Sequence, residues 1–238
     1  MNTGKSAVAR FYQESGYHAG PDGFYIKLDG RPVKTPSGAD MTLPSEPLAG
    51  EVAAEWQAQT DQIMPDSMPL TGLSCTAIDK VRPERANLIA QMGKYGEHDL
   101  LCYRADQPTD LRSRQDATWQ PLLDWASRIY QVKLVVTNGI VHVPQPSHSV
   151  ENFSRAIDRY SDFELTALVE ITQLTGSAVL GMAVCAGFIK SHDAFVASQL
   201  DEIWQNERWG EDHENTIRRQ NILADLNSAT QFLDLVRG

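Results

Sequence analysis

The 238-residue sequence has no glycine-rich phosphate loop: GxxxxGK[ST] is absent, and its glycines nowhere form GxGxxG after a strand pattern. Nucleotide hydrolysis by the chain is therefore not expected. It has no HExxH, no paired histidine spacing on a helix and no GxSxG, so neither a zinc hydrolase nor a serine-elbow esterase is indicated. Cysteine is scarce: Cys75, Cys102 and Cys185 are odd in number, far apart and without a CxxC, so neither a disulfide framework nor a thiolate metal site is suggested, and a reducing compartment fits. No apolar signal core opens the sequence. The longest apolar run, GSAVLGMAVCAGFI at 176–189, falls short of the ~20 residues a membrane helix needs and is rich in Gly and Ala. It reads as a buried helix whose small residues let neighbours approach closely.

What is present is a globular composition, 42% hydrophobic and 22% charged, with a formal net charge of −10. That charge argues against nucleic acid and anionic lipid, since both demand a basic surface. The partner is expected to be neutral or locally basic.

The first part of the chain is strand-like. FYIKL (24–28), Asp29-Gly30 and RPVKT (31–35) form a hairpin signal, because Asp-Gly tolerates the positive φ of a two-residue turn. Pro32 lacks an amide proton and belongs on a sheet edge. MTLP (41–44) supplies a third short strand. Ser45 is placed as a helix N-cap, and Leu48, Val52 and Trp56 recur on one face of that helix, so Trp56 is expected to pack on the sheet. Thr71 is a candidate cap for a short helix through TAIDKV. A domain boundary is placed near Pro83, giving a β-rich unit over 1–82 with a packed helix and a mainly helical unit over 83–238: an α+β protein. Helices are expected over 84–103, 109–130 with Pro121 breaking or kinking it, 150–160, 162–174 behind a Ser161/Glu164 capping box, 177–209 with an interruption, and 212–236. In VKLVVTNGIVHV (132–143), Asn138-Gly139 between β-branched runs suggests a second hairpin.

Residues 200–212, LDEIWQNERWGED, hold two tryptophans and five carboxylates. Acidic residues after a glycine, as in EDHE at 211–214, are usual in the first turn of a helix, where they complement its dipole; Glu97-His98-Asp99 invites the same structural reading. On a helix, Val196, Leu200 and Ile203 share one face as the core seam with Trp204 beside them. Asp201, Glu202, Gln205 and Trp209 gather on the side away from it. Two readings stay open: another helix covers Trp209, or an acidic surface with an aromatic anchor receives a protein partner.

Several stretches together, DGRPVKTP (29–36), EWQAQ (55–59), MPLTGLSCTAIDKV (68–81), DLLCYRA (99–105), WQPLLDWA (119–126) and LDEIWQNERWGED (200–212), resemble the assembly chaperones of F-type ATP synthase that bind the alpha subunit of its catalytic head. The resemblance spans nearly the whole chain in order. It implies a non-enzymatic, cofactor-free holder of unassembled alpha subunit, released when beta subunit takes the same surface, and a β-containing N-terminal region before a helical C-terminal one. The free protein is expected to be monomeric, without membrane insertion, in the bacterial cytoplasm, or in the mitochondrial matrix if it is a processed eukaryotic member. Asp201, Glu202, Trp209, Glu211 and Asp212 are the expected partner-binding residues. The rival readings are an interaction module for another client and a small-molecule enzyme using the 201–214 carboxylates.

Overall fold

The computed structural model describes residues 8–210 and 212–238. Its first region is a small antiparallel sheet centred on β3 (Gly23–Leu28). Apolar residues alternate there: Ile26 and Leu28 are buried, and helix α1 (Glu46–Gln57) lies across the strand and its neighbour β2 (Ser15–Gly20). The Asp29-Gly30 turn has positive φ at both residues, 47° and 78°, and joins β3 to β4 (Arg31–Pro32) in the register Leu28↔Arg31. Pro32 is on a sheet edge and exposed, as its missing N–H requires. The third strand, β5 (Thr42–Leu43), pairs with the other end of β3. Strand β2 carried no sequence signal: SGYHAG has no β-branched residue, and its pairing with β3 comes from tertiary context. A separate two-stranded ladder joins β1 (Val8–Ala9) to β6 (Gln62–Ile63).

Ser45 caps α1, its Oγ accepting from the Leu48 amide and donating to the Leu235 carbonyl at 2.5 Å. Leu48 and Val52 are fully buried, whereas Trp56 is half-buried at the lip of the same stripe, packed edge-on against Tyr12 at 5.7 Å. Helix α2 (Pro69–Thr76) starts earlier than expected, so Thr71 stands inside its first turn and caps nothing. The cap comes from another helix instead: the Glu55 carboxylate of α1 accepts from the Leu70 and Thr71 amides and from Thr71 Oγ1 at 2.7–2.8 Å. Burial raises the Glu55 pKa, opposed by those three donors.

A π turn (Ala77–Val81) carries α2 directly into α3 (Arg82–Glu97), which is kinked at Glu84 (φ −111°, ψ 18°) immediately after Pro83. The expected boundary near Pro83 coincides with this bend, and buried apolar residues from Tyr12 to Leu233 belong to one cluster. After a short 3-10 turn, β7 (Tyr103–Arg104) pairs in parallel with β8 (Thr137–Asn138).

The expected hairpin over 132–143 does not form, and this corrects the sequence reading. Its backbone is held by side chains: Ser149 Oγ accepts from the Lys133 amide and donates to the Lys133 carbonyl, and Gln145 brackets the Val135 amide and carbonyl. Gly139 takes the positive φ that Asn-Gly favours, but Ile140 is 96% exposed, with no face to cover a second strand.

The helical region follows the expected sequence of elements. Helix α4 (Thr109–Tyr130) runs as one helix through Pro121; α5 (Ser147–Ile157) and α6 (Asp162–Thr175) follow, α6 opening on the reciprocal Ser161/Glu164 box. The 177–209 stretch resolves into α7 (Ala178–Cys185), α8 (Ser191–Ser198) and α9 (Leu200–Trp209), with α10 (His213–Arg237) last. Every residue of α7 is buried, and a Cβ on its Gly181 would overlap Thr172 of α6, so glycine here permits the close approach of two helices. Among the described residues no helix is long and apolar enough to cross a membrane.

Candidate functional site

Helix α9 begins at a break. Gln199 leaves helical geometry (φ −100°, ψ 13°), and this resets the helix so that Ala197, Leu200 and Trp204 form the buried seam, while Val196 and Ile203 are only partly covered. The seam packs on α4. Trp119 donates its indole N–H to the Ala197 carbonyl at 2.9 Å, and Gln115 Nε2 donates to Asp201 Oδ1 at 2.8 Å.

Ion pairs frame the seam. Arg114 grips Glu207 with two hydrogen bonds of 2.7 and 3.0 Å, a fork-to-fork contact that lowers the Glu207 pKa. Asp110 accepts from Trp204 Nε1 at 3.3 Å and pairs with Arg208, whose guanidinium stacks 3.8 Å from the Trp204 ring centre. Desolvation would raise the Asp110 carboxyl, but the Trp204 N–H and the Arg208 charge outweigh it and hold it below the usual range. None of these pairs was legible in the sequence, because each joins residues more than 90 positions apart. The available signal was the i, i+4 spacing of Asp110 and Arg114 and of Gln115 and Trp119, which places each couple on one side of α4.

The five expected partner residues fare differently. Asp201 turns towards α4 and is half-buried on Gln115. Glu202 points the other way, towards α10, where it pairs with Arg218; both side chains remain more than 40% exposed. Asp212 is exposed at the start of α10, and its side chain makes no cap hydrogen bond. Glu211 lies outside the described residues. Trp209 is 73% exposed, touching the chain edge-on at Trp204 with ring centres 5.6 Å apart, while Trp204 itself is 6% exposed. Among the described residues no other helix covers Trp209. Gly210 (φ 89°) then turns the chain into α10.

The remaining acid and thiol candidates are structural. Asp99 is fully buried, its carboxylate accepting from the Leu101 and Val179 amides and from Ser177 Oγ at 2.7–3.0 Å; burial raises its pKa against those donors. Burial likewise pushes the thiol of Cys75 to about 11 and those of Cys102 and Cys185 to about 12, far from thiolate reactivity. Among the described residues no three His, Cys, Asp or Glu side chains converge to hold a metal ion.

Comparison with known proteins gives these features a setting. The family model described as ATP12 chaperone protein matches residues 9–127. A mitochondrial atp12 protein of Schizosaccharomyces pombe is 25% identical over 197 residues, covering 78% of this chain and 68% of its own. The crystal structure of Atp12 from Paracoccus denitrificans superposes with a TM-score of 0.92 at 38% identity, over 97% of this chain and 99% of that one. A putative chaperone from Agrobacterium tumefaciens gives 0.91 at 34% identity, over 96% and 86%. The α+β arrangement of N-terminal strands and C-terminal helices is shared with the solved Atp12 structure. With the family model spanning half of the sequence and the solved relatives nearly all of it, the chain belongs to the ATP12 chaperone family, which serves ATP synthase assembly.

Proposed function

We propose that the chain holds unassembled ATP synthase alpha subunit without using ATP, keeps it from aggregating, and yields it when beta subunit occupies the same surface. A subunit made for a ring exposes apolar contact area while alone, and that area self-associates unless covered. Release by competition requires only that the final interface be larger than the temporary one. The observation that carries this reading to a surface is Trp209: a large aromatic side chain left 73% exposed at the end of a helix whose other tryptophan is buried. Tryptophan is the residue type most enriched at interface hot spots.

Asp201, Glu202, Glu211 and Asp212 with Trp209 form the proposed client face. Their acidity suits a basic patch on the partner, in keeping with a net charge of −10. The Arg114–Glu207 and Arg218–Glu202 pairs join α9 to α4 and to α10. Light scattering of alpha subunit refolding at an equimolar ratio tests the mechanism. Suppression is expected with and without nucleotide; an obligatory ATP requirement sinks passive holding.

A further inference from the structure

Two imidazoles from separate segments meet at the end of α3. His98 stands at the C-cap of that helix, and His142 lies in the 132–143 segment that forms no hairpin. Their ring centres are 4.3 Å apart, with planes inclined by 35°. Both residues are exposed, so burial of apolar area does not account for the contact.

The fold anchors the backbone on both sides of the pair. Beside His98, Asp99 is buried and tied to the Leu101 and Val179 amides and to Ser177 Oγ. Ahead of His142, the Gly139 amide donates to the Arg104 carbonyl at 2.8 Å, and behind it the Gln145 side chain brackets the Val135 amide and carbonyl. Neither ring hangs on an untethered loop.

The separation is close to what chelation needs. With metal–nitrogen bonds of about 2.0–2.1 Å and an angle of about 90–110° between them, the centres of two ligating imidazoles stand about 4.5–5.2 Å apart. The 4.3 Å found here is just short of that span, and exposed rings can part by the difference. Tyr103 bears on which nitrogen is free. Its Oη lies 3.4 Å from His142 Nδ1; with the proton on Nδ1, the ring donates to the tyrosine and keeps its Nε2 lone pair for a metal, the outer-shell arrangement usual for a ligating histidine. Among the described residues no third His, Cys, Asp or Glu joins the two, so an ion's remaining positions go to water or to a ligand on another molecule.

We propose that His98 and His142 together bind a divalent transition ion of the zinc class, and that the ion fastens the 132–143 segment to the end of α3. Imidazole selects such an ion over magnesium or calcium, which take oxygen ligands. Tyr103 is the positioning residue. The site stands whatever client the chain holds.

Zinc chloride alone, titrated calorimetrically into the whole chain at neutral pH, tests this. The parent is expected to take up one ion per chain, to release it to EDTA, and to show slower amide exchange over 132–143 with the ion bound. His98→Phe and His142→Phe keep an aromatic ring in the stack and remove the ligating nitrogens; each should weaken binding about tenfold or more. Tyr103→Phe keeps both ligands and should weaken it about tenfold, as loss of an outer-shell partner does. His192→Ala, on α8, should bind as the parent does, and magnesium chloride should give no binding. Uptake that is equal in the parent and both phenylalanine variants, or that His192→Ala lowers as much as they do, means an adventitious ion only and overturns the proposal. So does a parent that takes up no zinc below about 1 mM. Parental affinity in Tyr103→Phe overturns the positioning role. Should a phenylalanine variant melt lower without zinc, the parent's own amide exchange decides: a 132–143 segment indifferent to zinc overturns the clamp.

Discussion

Asp99 shows how much a single buried side chain can hold. It supplies acceptors to two backbone amides and a hydroxyl, fixing the turn after α3 to the start of α7 at a point without solvent. Asp99→Ala leaves those donors unpaired and should cost about 3 kcal/mol or more, read from urea unfolding. The pH dependence has a definite sign. Because burial raises its folded pKa above the unfolded value of about 3.9, the native state binds the extra proton. Stability from this group is full below that value and declines as pH rises through the folded pKa. The parent should therefore lose stability with rising pH, relative to Asp99→Asn, across that window; parallel curves would contradict the assignment. In the sequence Asp99 is one of three adjacent polar residues, and nothing in Glu97-His98-Asp99 distinguishes the one that is buried.

Elements built on local chemistry were legible. Asp29-Gly30, Ser45 and the Ser161/Glu164 box each specify their own turn or cap, and each appears where the residues place it. Asn138-Gly139 carries the same local signal as Asp29-Gly30 and fails as a hairpin, because β3 has α1 to cover its inner face whereas Ile140 and Val141 face solvent. The cap of α2 was invisible because the accepting carboxylate, Glu55, belongs to another helix. The candidate face was legible in composition but not in geometry: the break at Gln199 decides which residues of α9 are buried, and Arg218 lies 16 positions from the Glu202 it meets. That pair defines the next experiment. Being partly exposed, it should contribute no more than about 1 kcal/mol, so Glu202→Lys should fold with a slightly lowered melting temperature and capture alpha subunit less well at low salt. Combining it with Arg218→Glu restores the ion pair with its ends exchanged. Melting should recover while capture stays weak; recovery of both would mean that Glu202 acts only by holding α9 to α10.

At the scale of the whole molecule, one apolar cluster joins sheet and helices, and α10 is its keystone. Leu226, Ala229, Phe232 and Leu233 are buried as α10 crosses α1, α2, α6 and α8. Its end is tied to both regions, through the Leu235 carbonyl to Ser45 and through Arg237 to Glu164 and the Cys185 carbonyl. Chemical unfolding should accordingly appear as one cooperative step, with far-UV circular dichroism and tryptophan fluorescence coinciding; two separated steps would establish independent units on either side of residue 82.

The tie between Ser45 and Leu235 spans 190 positions, and it orders events in time. Helix α10 is synthesised after every element it packs on, so the ribosome releases the sheet and the earlier helices before the piece that closes them exists. Until then the inner faces of α1, α2 and α6 stand bare, in the same predicament as an orphan ring subunit. A chain that has not yet made α10 leaves on those helices the apolar area that Leu226, Phe232 and Leu233 later bury.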